Sequence, residues 1–209
     1  KIKEHAEREN GKINNLLKDF AKSNNVTIFA GSYSEILKDK VYNTSYVFSA
    51  TGEVLAKYQK IHLCEIKDES GKIVLSEKES FFPGTEVISF AHCGWRIGLA
   101  ICYDLRFPEM FVKMSESCPL DMLVLPSAFT EQTGKYHWHT LVQARAIEQQ
   151  AFVVAVNQTG KHGNNRYSYG HSLVYDPWGE VLLDSKESEG VFICELKKDK
   201  VSLTRKKID

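Results

Sequence analysis

Apolar residues recur at helical spacing early in the chain. Ile13, Leu16, Leu17 and Phe20 stand among charged residues and predict an amphipathic helix over residues 4–24. The pattern then shortens to strand-like runs over 26–33, 42–49 and 54–58. A turn at Lys38-Asp39-Lys40 and a hairpin at Ala50-Thr51-Gly52-Glu53 separate them. The charged stretch 65–78 reads as a long connection, of a length that in compact domains is usually functional or mobile. Strands are predicted over 87–90 and 96–101, a helix over 111–117, and a strand over 121–126. A helix over 138–149 and a strand over 152–157 follow. A polar loop, 159–166, leads into strands at 172–175 and 181–183, with a turn at Asp176-Pro177-Trp178-Gly179 between them. The last predicted strand is 191–196, and the basic run Arg205-Lys206-Lys207 belongs to no predicted closing element. Strands alternating with helices and hairpins predict an α/β or α+β layered domain.

Composition narrows the function classes. The 209 residues, 43% hydrophobic and 26% charged, suit a single globular domain, and 27 basic residues balance 27 acidic ones. That balance argues against nucleic acid or an anionic membrane as partner. No apolar run reaches membrane-spanning length. The five cysteines (Cys64, Cys93, Cys102, Cys118, Cys194) are odd in number and without metal-like pairing. They point to free thiols in a reducing compartment, the cytoplasm first and the mitochondrion as the other candidate. No histidine–carboxylate spacing suggests a metal, and no glycine-rich phosphate loop is present. The chain opens without methionine and reads as cut at both ends.

The chemistry concentrates in Gly98-Leu99-Ala100-Ile101-Cys102-Tyr103-Asp104-Leu105-Arg106-Phe107-Pro108-Glu109. A short apolar strand stops at a cysteine, and polar residues and a proline then open a helix. Such a turn lifts a nucleophile off the sheet edge, and the helix N-terminus supplies amide donors and positive dipole. A buried, inert cysteine is the competing reading. Two further stretches accompany it: Tyr58-Gln59-Lys60-Ile61-His62-Leu63 upstream, and Pro126-Ser127-Ala128-Phe129-Thr130 with Thr133-Gly134-Lys135-Tyr136-His137-Trp138 and Ala144-Arg145-Ala146-Ile147-Glu148 downstream.

In this order the three motifs resemble the nitrilase, or carbon-nitrogen hydrolase, superfamily. The branch they are most similar to comprises the deaminated-glutathione amidases and omega-amidases. The resemblance implies a four-layer α-β-β-α sandwich over residues 1–209 as one domain, with N-terminal strands missing. It also implies a homodimer or higher homo-oligomer, a small-molecule amide substrate, and no cofactor or metal.

The site residues follow from the same resemblance. Cys102 is the expected nucleophile, and Lys60 with the Tyr103 backbone N–H the expected oxyanion donors. Glu77 is expected to position the lysine and the substrate. Arg106, Phe129, Thr130 and His137 are expected around the substrate, Arg106 having an ion pair with Asp104 or Glu109 as its structural alternative. Arg145 and Glu148 read as a structural ion pair, and His171 as a group satisfying backbone. The family's general acid/base glutamate is expected upstream of Lys1; Glu4, Glu7 and Glu9 lie on a helix that reads as exposed, and Glu35 follows a later strand that does not match the motif. The expected reaction is hydrolysis of a carbon-nitrogen bond through a cysteine thioester, releasing ammonia from deaminated glutathione or a similar omega-amide of a 2-oxo acid. The alternatives are an N-carbamoyl amide hydrolase and a non-catalytic binding member of the superfamily.

Overall fold

The computed structural model describes residues 2–162 and 166–208; Lys1, Gly163, Asn164, Asn165 and Asp209 lie outside the described residues. The chain separates into two compact units, residues 1–88 and 89–209.

The first unit opens with α1 (Ile2–His5) and α2 (Lys12–Asn24), not the single helix the apolar spacing predicted. The break has two causes. Asn10-Gly11 is a turn-forming pair, and Glu7 is drawn into a short parallel bridge with Glu35. The Glu7 carboxylate then accepts the Ile13 N–H at 2.7 Å, satisfying an amide in the first turn of α2. β1 (Ile28–Phe29) and β2 (Tyr33–Leu37) divide what reads as one strand, because Gly31 sits at φ +70° between them. β3 (Lys40–Phe48) pairs antiparallel with β1, β2 and β4 (Val54–Gln59). Ala21 of α2 packs on Tyr46 and Phe48 of β3 in a buried cluster, with Leu17 against it.

The charged stretch after Lys60 is a hairpin, not an open connection. β5 (Glu65–Lys67) pairs with β6 (Ile73–Ser76), and the Asp68 carboxylate closes the turn by accepting the Ser70 and Lys72 N–H groups. A single 3-10 turn, Glu77–Glu79, follows.

The second unit is built on a six-stranded sheet. Its strands are β7 (Ile88–His92), β8 (Trp95–Leu99), β9 (Met122–Ser127), β10 (Phe152–Asn157), β13 (Leu173–Tyr175) and β14 (Val181–Asp184). The spatial order is β14-β13-β10-β9-β8-β7, and β8, β9 and β10 run parallel. α3 (Pro108–Ser115) and α4 (Glu131–Gln149) lie between these strands in sequence; α4 begins seven residues before the predicted start. It buries Trp138, Val142, Arg145 and Ala146. The polar loop over 159–166 is in its described part a ladder, β11 (Thr159–His162) with β12 (Arg166–Tyr169).

Residues 191–196 form no strand. Val191 and Ile193 are 93% and 92% exposed, so an apolar run without a neighbouring edge gains no ladder. The basic run near the end lies in α5 (Asp199–Ile208), whose last turn carries Arg205, Lys206 and Lys207. Cations there complement the helix dipole. Each unit thus carries a sheet with helix packed on it, as an α-β-β-α sandwich requires. Among the described residues no helix is long and apolar enough to cross a membrane.

Candidate active site

Cys102 stands where the parallel strand β8 ends, on the 3-10 turn Cys102–Arg106 that leads through Phe107 into α3. Its backbone is left-handed, φ +47°, which L-residues other than glycine adopt at a cost of about 1–2 kcal/mol. The surroundings hold that geometry. Asp104, fully buried, accepts the Ile101 N–H at 2.9 Å and returns its own N–H to the Ile101 carbonyl at 3.1 Å. Arg145 of α4, 4% exposed, donates its Nε–H to the Leu105 carbonyl at 3.2 Å and pairs with Glu148. The anticipated Arg145–Glu148 pair therefore also braces the turn bearing Cys102. Tyr103 lies in the first turn after Cys102, where amides have no intrahelical acceptor.

The parallel strands place more chemistry at their carboxyl ends, where open α/β sheets bind ligands. Phe129 and Thr130 follow the end of β9. Asn157, the last residue of β10, accepts the Phe129 N–H at 2.8 Å and donates to the Gly170 carbonyl at 2.6 Å. This buried asparagine, which no motif reading singled out, fixes the Phe129 loop; its signal was a polar residue closing an otherwise apolar strand. Among the described residues Arg106 makes no ion pair with Asp104 or Glu109. Its guanidinium lies 5.0 Å from the Phe129 ring centroid and 5.7 Å from that of Tyr103, with Nη2 3.3 Å from His137 Nδ1. Arg106, Phe129 and His137 therefore form one group. Thr130 turns to Thr133 instead, their hydroxyls 2.9 Å apart. Ser127 Oγ, buried at the end of β9, has no hydrogen-bond partner among the described residues.

Lys60 and Glu77 belong to the first unit. Lys60 is 2% exposed and donates to Glu77 Oε2 at 2.5 Å. The same oxygen accepts the Cys64 N–H at 2.6 Å, and the Glu77 N–H returns to the Cys64 carbonyl at 2.9 Å. The hairpin of β5 and β6 is what carries Glu77 back to Lys60. On the other side, Gly84 donates its N–H to the Lys60 carbonyl at 2.8 Å. A Cβ at Gly84 would lie 2.2 Å from the Gln59 carbonyl oxygen, so only glycine allows that approach.

Glu35 is a second carboxylate of this unit held by several donors, and it is 2% exposed. It accepts from Thr44 at 3.0 Å, Lys57 at 2.5 Å, Gln59 at 3.3 Å and Tyr46. Burial pushes its pKa up, but the hydrogen bonds from Lys57 and Tyr46 outweigh it and leave the carboxyl below its ordinary value. A carboxylate stabilised in this way is a weak base, which agrees with leaving Glu35 out of proton transfer. His171, expected to satisfy backbone, instead directs Nδ1 at Asp184 Oδ1, 2.9 Å away. A cavity of about 680 Å³ lies against β10, β13 and the segment 188–196, and none of the predicted site residues lines it.

The carbon-nitrogen hydrolase family pattern matches residues 1–206. The chain is 36% identical over 205 residues to the deaminated glutathione amidase of Dictyostelium discoideum, covering 96% of this chain and 70% of that one. It is also 36% identical over 206 residues to human omega-amidase NIT2, covering 98% and 74%. Among solved structures, the NitFhit protein of C. elegans superposes with a TM-score of 0.86 at 36% identity over 96% of this chain. The match spans 49%, about half, of the NitFhit chain. A cysteine raised on a strained turn at the end of a parallel strand, a buried lysine–glutamate pair and these likenesses agree: the chain belongs to the carbon-nitrogen hydrolase family.

Proposed function

We propose that residues 1–209 form one carbon-nitrogen hydrolase domain that hydrolyses an omega-amide of a 2-oxo acid, deaminated glutathione being the first candidate. The observation that carries this reading is the left-handed Cys102 at the end of β8, on a turn that opens toward the helix α3. A buried, inert cysteine has no need of such backbone strain.

In the proposed reaction the Cys102 sulfur attacks the amide carbon and the carbonyl oxygen takes up negative charge. The Lys60 ammonium and the Tyr103 N–H serve as its donors, and one such donor contributes about 3–4 kcal/mol to barrier lowering. The intermediate collapses by breaking the carbon–nitrogen bond. The nitrogen leaves as ammonia after receiving a proton, and a thioester remains on Cys102. Water then adds to the thioester carbon and the thiolate departs, giving the free acid. Proton transfers in both halves need a general acid/base. The proposal assigns that task to a glutamate of the natural-length protein, not to Glu35 or Glu77. Glu77 orients Lys60.

Arg106, grouped with Phe129 and His137, offers a planar fork suited to the carboxylate of such a substrate. The homo-oligomeric state and the reducing compartment remain part of the proposal, the latter supported by five free thiols. The test is ammonia release by the natural-length protein from deaminated glutathione, 2-oxoglutaramate and an N-carbamoyl amino acid. Preference for deaminated glutathione supports the reading. Preference for the carbamoyl compound moves the substrate class, and silence on all three overturns it.

A further inference from the structure

Three side chains distant in sequence meet in the second unit. His139 lies on α4, His171 on the turn before β13, and Asp184 at the end of β14. Each offers one ligand atom, and these atoms lie within 4.8 Å of one another. His171 Nδ1 is 2.9 Å from Asp184 Oδ1, and His139 Nε2 is 3.5 Å from Asp184 Oδ2. The two imidazole centroids are 4.9 Å apart, with the ring planes at 71°. Both rings therefore aim a nitrogen at one carboxylate from different elements. The proposed hydrolysis uses none of the three.

The arrangement is held from outside. The His171 ring stacks on Tyr169 at 4.5 Å. Its backbone is left-handed, φ +53°, with the N–H donated to the Lys186 carbonyl and the carbonyl accepting from Trp138 Nε1 at 2.7 Å. Lys186 is also left-handed, φ +55°, so two strained residues clamp the segment carrying Asp184 onto His171.

We propose that His139, His171 and Asp184 form a binding site for a divalent transition metal, zinc being the best-matched ion. Two imidazole nitrogens and one carboxylate oxygen are a zinc donor set, and three protein ligands leave the fourth tetrahedral position to water. Bonds of about 2.0–2.1 Å around a tetrahedral ion put ligand atoms about 3.3 Å apart. The two imidazoles face different oxygens of Asp184, and with one ligand atom per residue all three atoms lie within 4.8 Å, so they need to close by no more than about 1.5 Å to meet that value. Magnesium and calcium prefer all-oxygen sites and are excluded on donor type. Binding transfers each nitrogen lone pair to the metal and releases any proton that occupies it.

One neighbour opposes the cation. Lys186 Nζ lies 2.7 Å from Asp184 Oδ2, and its side chain is 72% exposed, free to swing into solvent when a metal takes that oxygen. This fixes the sign of a second substitution. Removing the ammonium strengthens metal binding, whereas in a purely structural His–Asp–Lys network it has no such effect.

The experiment is calorimetric titration of the chain with zinc chloride at neutral pH, in the wild-type, His139→Gln and Lys186→Ala forms. Cobalt(II) absorption spectra are recorded in parallel. The expected results are one zinc bound per chain, binding weakened at least about tenfold in His139→Gln, and tightened severalfold in Lys186→Ala. The metal-free melting temperature of the His139→Gln protein should be close to wild type, since His139 is partly exposed. Cobalt should give ligand-field bands without a thiolate charge-transfer band. Unchanged zinc affinity in His139→Gln, unchanged or weaker binding in Lys186→Ala, or a thiolate band would each overturn the assignment. The cobalt spectrum does not depend on either variant folding.

Discussion

Glu77→Gln isolates the charge that holds Lys60. In the wild type one carboxylate oxygen serves both the Lys60 ammonium, at 2.5 Å, and the Cys64 N–H, at 2.6 Å. Glutamine keeps the shape and one acceptor oxygen but removes the negative charge. Hydrogen bonds to charged groups contribute about 1.5–3 kcal/mol, and breaking a fully buried ion pair costs about 3–5 kcal/mol. Lys60 is 2% exposed but the Glu77 side chain is 20% exposed, so water on the carboxylate side keeps the loss below that of a fully buried pair. The expected loss is about 2–3 kcal/mol, read as a lower urea midpoint at unchanged m-value. Lys60→Met in the Glu77→Gln background should recover part of it, because the buried ammonium that lost its carboxylate is gone. A double-mutant cycle should give a coupling of at least about 1 kcal/mol. If Glu77→Gln shifts stability by less than about 0.5 kcal/mol, the pair is a surface ion pair in energetic terms and the buried clamp is refuted. Turnover supplies the second readout: kcat should fall at least about tenfold with a smaller change in KM, since the lysine acts mainly when the oxyanion forms.

Other perturbations test separate parts of the structure. Glu35→Gln should destabilise by about 2 kcal/mol at neutral pH, as it removes the charge that Lys57 faces and turns one acceptor oxygen into a donor, while Lys57 keeps Glu9 at 3.5 Å. Because the folded-state pKa of Glu35 lies below its ordinary value, its stabilisation is present above about pH 4.3 and lost as pH falls through the folded value. The gap in melting temperature between wild type and Glu35→Gln should therefore narrow below about pH 4; a constant or widening gap would contradict the assignment. Cys102→Gly should be inactive yet melt above Cys102→Ala, glycine relieving about 1 kcal/mol of left-handed strain at φ +47°. Equal melting of the two would remove the strained turn. Gly84→Ala should cost about 1–3 kcal/mol through its clash with the Gln59 carbonyl, and unchanged stability would show that this backbone contact is loose.

The elements that could be read from the sequence are those whose pattern is local. β10 carries a continuous apolar run and appears at the predicted residues, and the turn at Cys102 announced itself by a strand stopping at polar residues and proline. The hairpin of β5 and β6 was hidden because the strands have only three and four residues, too few for a periodic pattern to stand out, and neither contains a buried residue. Residues 191–196 show the reverse case: the apolar run is present, but a strand also needs an adjacent edge, which a one-dimensional pattern does not contain. Motif order brought out Lys60 and Glu77, although the link between them depends on that unread hairpin. Asn157 and the group of His139, His171 and Asp184 had no such guide. Their meaning arises only when α4, the turn before β13 and the end of β14 come together, and no spacing along the chain encodes it.

Covalent chemistry at Cys102 is the step on which the proposed hydrolysis depends. The direct measurement is rapid acid quench of the natural-length protein during turnover of deaminated glutathione, followed by intact mass analysis and peptide mapping. Residues 97–106 contain Cys102 as their one cysteine. The account predicts a transient adduct equal in mass to the substrate less ammonia, located on that segment and absent from Cys102→Ala. Ammonia release that persists in Cys102→Ala, or an adduct mapping to another cysteine, would contradict it.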